Sequence, residues 1–83
     1  MAATKVDPWA PAREVRTLQE AHEALSRLQP APSSAPAVLR DYYLRSSVIY
    51  AQVAEVDRGH HHEALYWSAR EREKGEKIVP TKA

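Results

Sequence analysis

A regular apolar stripe in the middle of the chain constrains the fold more than any other feature. Its members recur at alternating spacings of three and four residues, the period of a helix packed lengthwise against another helix. They are Leu39, Tyr42, Ser46, Ile49, Val53 and Val56. A helix over about 36–58 is roughly 34 Å long at a rise of about 1.5 Å per residue. One short partner helix cannot cover that length, so the stripe requires further neighbours.

A first helix is predicted before this stripe, over about 12–28. Its apolar side recurs at spacings of three and four residues and consists of Val15, Leu18, His22 and Leu25. Prolines from Pro30 to Pro36 then end the helix, because they remove amide donors and disfavour helical conformations in the preceding residues. This segment is typical of a semi-rigid linker, and Ser34 is expected to cap the helix that follows.

A third helix is predicted over about 60–74, after a turn at Gly59 and before a stop at Gly75. Its packing face consists of the small residues and one leucine at Ala64, Leu65, Ser68 and Ala69. The patterns predict an all-α fold, a small three-helix bundle built on an antiparallel hairpin of the second and third helices, with the first helix joined by the proline-rich linker. We expect one helical domain at 12–79 and a disordered or extended arm at 1–11.

Composition excludes several classes of function. The 83 residues include no cysteine, which excludes disulfides and thiolate zinc sites. Two glycines cannot build a glycine-rich phosphate loop, and no pair of carboxylates stands on an apolar face. We therefore expect a protein that is not an enzyme and needs no cofactor. A net charge of +1 provides no general attraction for nucleic acid or an anionic membrane, and no apolar run approaches the roughly 20 residues that span a bilayer. The absence of Asn and the abundance of Ala, Arg and Pro favour a bacterial protein, which we expect in the cytoplasm.

The histidine run at the start of the third predicted helix is the candidate metal site. His60, His61 and Glu63 carry groups that bind zinc or nickel. Consecutive helical residues point about 100° apart, so neighbouring histidines cannot converge on one ion within a helix. The favoured interpretation is a helix start with Glu63 beside the positive end of the helix dipole. A metal site shared between subunits is the alternative.

The segment from Ala51 to Arg72 resembles a DNA-binding helix-turn-helix, through the turn glycine and a leucine six residues later. The resemblance implies a small transcriptional regulator, whose dimer would present Arg58, Arg70 and Arg72 to DNA. Glu55 stands where that motif usually has a small residue, and the glutamates of the third helix repel phosphates. The same hairpin resembles a single tetratricopeptide-type unit through Gly59 and Ala64, which again implies two antiparallel helices.

Aromatic side chains are the strongest functional signal, because tyrosine and tryptophan anchor many protein interfaces. Tyr43 and Tyr50 widen the apolar stripe into a face too broad for a two-helix seam. We expect an interaction protein that forms a homodimer and acts as an accessory or regulatory subunit of another protein. The predicted interface consists of Tyr42, Tyr43, Ile49, Tyr50, Val53 and Trp67. The sequence leaves open whether these side chains instead complete an intramolecular core with the first helix.

Overall fold

The computed structural model describes residues 7–79, and in them the regular secondary structure consists of four α-helices and one 3-10 turn. The helices are α1 (Ala10–Arg13), α2 (Leu18–Leu28), α3 (Pro36–Val56) and α4 (His61–Lys77), and the 3-10 turn covers Arg58–His60. No β-strand occurs in this part of the chain. The prediction of an all-α helical bundle is confirmed.

The three long helices alternate in direction. The α3 and α4 helices form an antiparallel hairpin, in which the Ser68 hydroxyl donates to the Ser47 carbonyl at 2.8 Å. The α2 helix begins beside the end of α3, where the Leu18 amide donates to Asp57, and it ends beside the start of α3, where the Tyr42 hydroxyl donates to the Leu25 carbonyl. Thus α2 is antiparallel to α3 and packs on one side of the hairpin.

The core lies between α2 and the hairpin and is rich in alanine. Its buried residues are Ala12, Leu18, Ala21, Leu25, Ile49, Tyr50, Val53, Ala54 and Ala64. Alanines let helix backbones approach closely, but each buries little apolar area, at about 25 cal/mol per Å². The few large side chains therefore contribute most of the hydrophobic stabilisation.

The first predicted helix is interrupted, which corrects the boundaries of about 12–28. Thr17 has an extended backbone, and its Oγ1 accepts a hydrogen bond from the Glu20 amide at 3.1 Å. Glu20 Oε1 in turn accepts one from the Arg16 amide at 2.9 Å. Thr17 and Glu20 have the spacing of a capping box, which begins a new helix at Leu18. Val15 and Leu18 have the spacing of apolar residues in one continuous helix, so the periodicity did not indicate this break.

The described part of the predicted arm is folded, which corrects its extended or disordered assignment there. Asp7 accepts from the Trp9 amide at 2.9 Å and pairs with Arg13, and these contacts close the short α1. Trp9 is half-buried, with its ring 5.9 Å from that of Tyr42. Ala12 is buried in the core. Residues 1–6 of the predicted arm lie outside the described residues.

The start of α3 also differs from the prediction. Ala35, not Ser34, is the residue that precedes the first helical turn. Its carbonyl accepts from the amides of Val38 and Leu39, at 2.9 and 3.1 Å. Pro36 occupies the first helical turn, where its lack of an amide proton removes no helical hydrogen bond. The fixed backbone of Pro36 therefore replaces a side-chain cap.

Two features of α4 correct the prediction. The helix passes through Gly75 and continues to Lys77. Gly75 does not stop the helix and is instead buried against α3. Leu65 and Ala69 are exposed and do not belong to the packing face. That face instead consists of Ala64, Trp67, Ser68, Glu71 and Gly75, which are buried or half-buried. Ala64 and Ser68 were predicted correctly, and Trp67, Glu71 and Gly75 take the places expected for Leu65 and Ala69.

Candidate interaction surface

Most of the predicted interface lies in the core of the same chain. Tyr42, Ile49, Tyr50 and Val53 are 8, 3, 5 and 0 % exposed. The α2 helix covers them: Tyr42 donates to the Leu25 carbonyl at 2.9 Å, and the Tyr50 hydroxyl hydrogen-bonds to His22 Nδ1 at 2.8 Å. A second molecule could reach these four side chains only if α2 moved away. In the single chain these four residues follow the intramolecular alternative that the sequence left open.

Tyr43 and Trp67 are half-buried and border a groove of about 190 Å³ between α2 and α4. We call it the aromatic groove. Its aromatic and charged side chains are His22, Tyr42, Tyr43, Tyr50, Trp67, Glu71 and Lys74. Burial raises the pKa of the Tyr50 hydroxyl, so that it stays protonated at neutral pH and keeps its hydrogen bond to His22. The groove is thus lined by aromatic rings around one carboxylate and one ammonium group.

The three candidate metal ligands do not converge. His60 Nδ1 donates to Asp57 Oδ2 at 3.0 Å, and His61 Nδ1 donates to the Ala54 carbonyl at 2.7 Å. Glu63 is exposed in the first turn of α4. Within residues 7–79, no group of three or more histidine, aspartate or glutamate side chains is arranged to hold a metal ion. The two histidines close the end of α3 instead.

Asp57 connects three elements at this end of the bundle. Its Oδ2 accepts from the Leu18 amide at 2.9 Å, at the start of α2, and from His60 at 3.0 Å. These two hydrogen bonds hold the pKa of Asp57 below its ordinary value, and the bond from the Leu18 amide contributes more than the bond from His60. The same hydrogen bond to Asp57 raises the pKa of His60. The carboxylate thus joins α2, the end of α3 and the 3-10 turn.

The arginines of the DNA-binding alternative lie apart. Arg58 lies in the 3-10 turn, 3.6 Å from Glu55 Oε1. Arg70 and Arg72 are roughly 20 Å further along α4, at about 1.5 Å per residue. The Arg70 guanidinium stands 5.5 Å from the centre of the Trp67 ring. The structure therefore does not bring the three arginines together into one basic surface.

An uncovered apolar groove of about 540 Å³ lies on the hairpin, and no residue of α2 lines it. We call it the outer groove. It is lined by Leu44, Ser47, Val48, Ala51, Gln52, Glu55, Ser68 and Arg72. Of its lining residues, Val48 is 56 % exposed, and Leu65, one turn before Ser68 on α4, is 41 % exposed beside it. This surface is an apolar face that α2 leaves open.

The outer groove carries opposite charges at its two ends. Ser68 lies beside Ser47, and because the helices are antiparallel, Arg72 lies near the level of Leu44. Glu55 lies at the other end, close to the 3-10 turn. Glu55 forms an ion pair with Arg58 at 3.6 Å, and both side chains are at least 66 % exposed, so this pair contributes little. The groove is therefore apolar at its centre, basic at one end and acidic at the other.

The sequence carried a signal for this second face. Leu44, Val48, Ala51 and Glu55 recur at spacings of four, three and four residues on α3. The neighbouring stripe is more apolar and aromatic, and the sequence pattern therefore predicts a contact surface on that stripe alone.

Comparisons with protein-family models, with curated proteins and with solved structures gave no match. No helix in the described chain is both long and apolar enough to cross a membrane.

Proposed function

We propose that this chain is a non-enzymatic helical interaction module that forms a homodimer through its outer groove. The observation that carries the proposal is the uncovered apolar face of the α3–α4 hairpin with Arg72 at one end and Glu55 at the other. Exposed apolar faces rimmed by charge mark interaction sites in small proteins. A second copy of the chain presents the same face with complementary ends.

The charge pattern fits a two-fold symmetric dimer. In such a dimer the same patch is used by both subunits, and it must be self-complementary. If two α3 helices pack antiparallel about an axis near Val48 and Ala51, Glu55 of one subunit faces Arg72 of the other. The axis repeats this pair at the opposite end. Two ion pairs then frame a centre made of Val48 and Ala51, with Leu44 beside each pair.

The size of the face is adequate for a stable dimer. The α3 helix is about 31 Å long and each helix is about 10 Å wide, so the hairpin presents roughly 600 Å² in projection. Accessible area on a grooved surface exceeds its projection, and a standard interface buries about 800 Å² per partner. Four helices packed in two layers would also extend the alanine-rich core of one chain.

Charge reversal tests the proposed pairing. Glu55→Arg or Arg72→Glu alone should raise the dimer Kd about tenfold, because two rim pairs are lost by symmetry and each contributes roughly 0.2–1 kcal/mol. The double variant Glu55→Arg/Arg72→Glu should recover most of the affinity, measured by sedimentation equilibrium at low salt. Glu73→Arg, an exposed change outside the outer groove, is the matched control. Failure of the double variant to recover would contradict the proposed orientation.

The proposal includes an accessory or regulatory role for the dimer beside another protein, in a bacterial cytoplasm. Its non-enzymatic part is supported by the sequence, in which two glycines cannot build a phosphate loop and no cysteine is present to act as a nucleophile. The distance of Arg58 from Arg70 and Arg72 does not favour the transcriptional regulator. The dispersed His60, His61 and Glu63 likewise do not favour a metal binder.

A further inference from the structure

We propose that the aromatic groove binds a small organic cation with a methylated ammonium head group, at the place that the Lys74 side chain occupies. The groove lies between α2 and α4 and shares no lining residue with the outer groove. This inference is therefore independent of the proposed dimer, and either can fail without the other.

A buried carboxylate provides the charge for such a site. The Glu71 side chain is only 10 % exposed, and carboxylates are rarely buried without a cationic partner. Its ion pair is with Lys74, whose Nζ lies 3.5 Å from Glu71 Oε2. That distance exceeds the 2.7–2.9 Å or so of a strong charge-assisted hydrogen bond. The Lys74 side chain is 42 % exposed and so remains partly in solvent.

Aromatic rings provide the second element. The Lys74 ammonium stands 5.4 Å from the centre of the Tyr43 ring, within the range of cation–π attraction. The half-buried Trp67 also lines the groove. The buried Tyr50 and Tyr42 rings pack behind Trp67 and Tyr43, with ring centres 6.0 and 5.4 Å apart. Rings around a carboxylate form the type of surface that recognises quaternary ammonium groups.

The groove already accommodates a cation from its own chain. A primary ammonium is strongly hydrated, so Lys74 gives up favourable hydration when it contacts the rings. A methylated ammonium carries the same charge, holds its water less tightly and offers methyl groups to the ring faces. It can therefore replace Lys74 with little rearrangement, as Lys74 swings outward on its flexible stem.

The volume limits the ligand to a head group. At about 190 Å³, the groove is smaller than the 300–1,000 Å³ or so of pockets that enclose drug-sized ligands. The rest of a larger ligand would extend into solvent between α2 and α4. We expect a Kd on the order of 1 mM for the isolated head group, since a few ring contacts and one carboxylate are its partners.

Titration with tetramethylammonium chloride tests the site, with the indole N–H signal of Trp67 followed by NMR and assigned with Trp67→Phe. We expect a saturable shift of this signal. The Lys74→Met variant should bind tetramethylammonium about tenfold more tightly than the natural chain, because the competing ammonium is absent. Glu71→Gln should weaken binding at least fivefold. If Glu71→Gln does not fold, Tyr43→Leu is the second variant. It removes a half-buried ring at the rim of the groove and should weaken tetramethylammonium binding by a similar factor.

Two controls separate binding from solvent effects. Sodium chloride at the same ionic strength tests general screening, and tert-butanol tests an uncharged molecule of similar shape. Neither should produce the saturable shift. The inference is overturned if tetramethylammonium produces no saturable shift in both the natural chain and Lys74→Met, or if tert-butanol produces an equal one.

Discussion

Gly59 and Gly75 are the two glycines of the chain, and the fold uses them differently. Neither has a positive φ, so neither is required for its backbone conformation. A Cβ atom on Gly75 would lie 2.8 Å from Leu44 Cδ2, 3.0 Å from Leu44 Cγ and 3.3 Å from Tyr43 Cβ. A Cβ atom on Gly59 would meet nothing within 4 Å. Gly75 is thus a contact point between α3 and α4.

Gly75→Ala should therefore destabilise the fold although alanine is the better helix former. Overpacking costs about 1–3 kcal/mol, and the gain in helix propensity offsets about 1 kcal/mol of it. We expect a net loss of about 1 kcal/mol in the free energy of unfolding, measured by urea denaturation. The matched change Gly59→Ala should be neutral or stabilising by up to about 1 kcal/mol. A higher urea midpoint for Gly75→Ala would contradict the close approach.

The Asp57–His60 pair predicts a pH dependence at the residue scale. The pKa of His60 is raised above 6.5, so its stabilising contribution is complete below pH 6.5 and is lost as the pH rises through the folded pKa. The pKa of Asp57 is lowered below 3.8, so its contribution is complete above pH 3.8 and is lost as the pH falls further. The pair stabilises most between these limits.

Urea midpoints across this pH range measure the effect. The difference between the natural chain and His60→Ala should be largest near pH 5 and should shrink above pH 7. His62→Ala is the control, because His62 is exposed and the histidine that hydrogen-bonds to Asp57 is His60. Equal pH profiles for the two variants would exclude the stabilising pair.

At the element scale, Thr17 determines where the first long helix begins. Thr17→Ala removes the acceptor for the Glu20 amide and should cost about 1 kcal/mol, as helix caps do. For a chain of this size, that corresponds to a fall of roughly 4–8 °C in Tm. Thr17→Ser keeps the hydroxyl and should remain near the natural Tm. A thermal melt in which both variants behave alike would contradict the capping role.

The elements also show what apolar periodicity can predict. It located α2, α3 and α4 because burying one face of a helix leaves a pattern with a period near 3.6 residues. It missed the break between Arg13 and Leu18, because a cap depends on one hydroxyl and not on hydrophobicity. It also ended α4 early at Gly75, since a glycine that stops a helix and one that allows close packing look alike in sequence.

The candidate sites follow a similar rule. Periodicity identified Tyr42, Ile49, Tyr50 and Val53 as contact residues, and all four are buried. It could not tell whether α2 or another molecule covers them, since both bury the same atoms. Periodicity did not identify the outer groove, because the face of α3 that lines it is less apolar. It did not identify Glu71 either, because an acidic residue is expected on the exposed side of a helix and Glu71 is buried.

At the scale of the whole molecule, α2 covers one side of the hairpin and leaves the outer groove open. This asymmetry is the basis of the proposed homodimer. Val48 lines the groove near the proposed symmetry axis, so Val48→Glu would place two carboxylates next to that axis in a desolvated interface. Val56, which is also exposed on α3 but does not line the groove, provides the matched change Val56→Glu.

The molar mass in solution, measured by light scattering after size exclusion over a tenfold or wider range of concentration, tests this claim most directly. The natural chain and Val56→Glu should have twice the chain mass of 9.4 kDa, and Val48→Glu should have 9.4 kDa while keeping its helical circular dichroism. A natural chain of 9.4 kDa at every concentration, or a Val48→Glu variant that remains a dimer, would contradict the account.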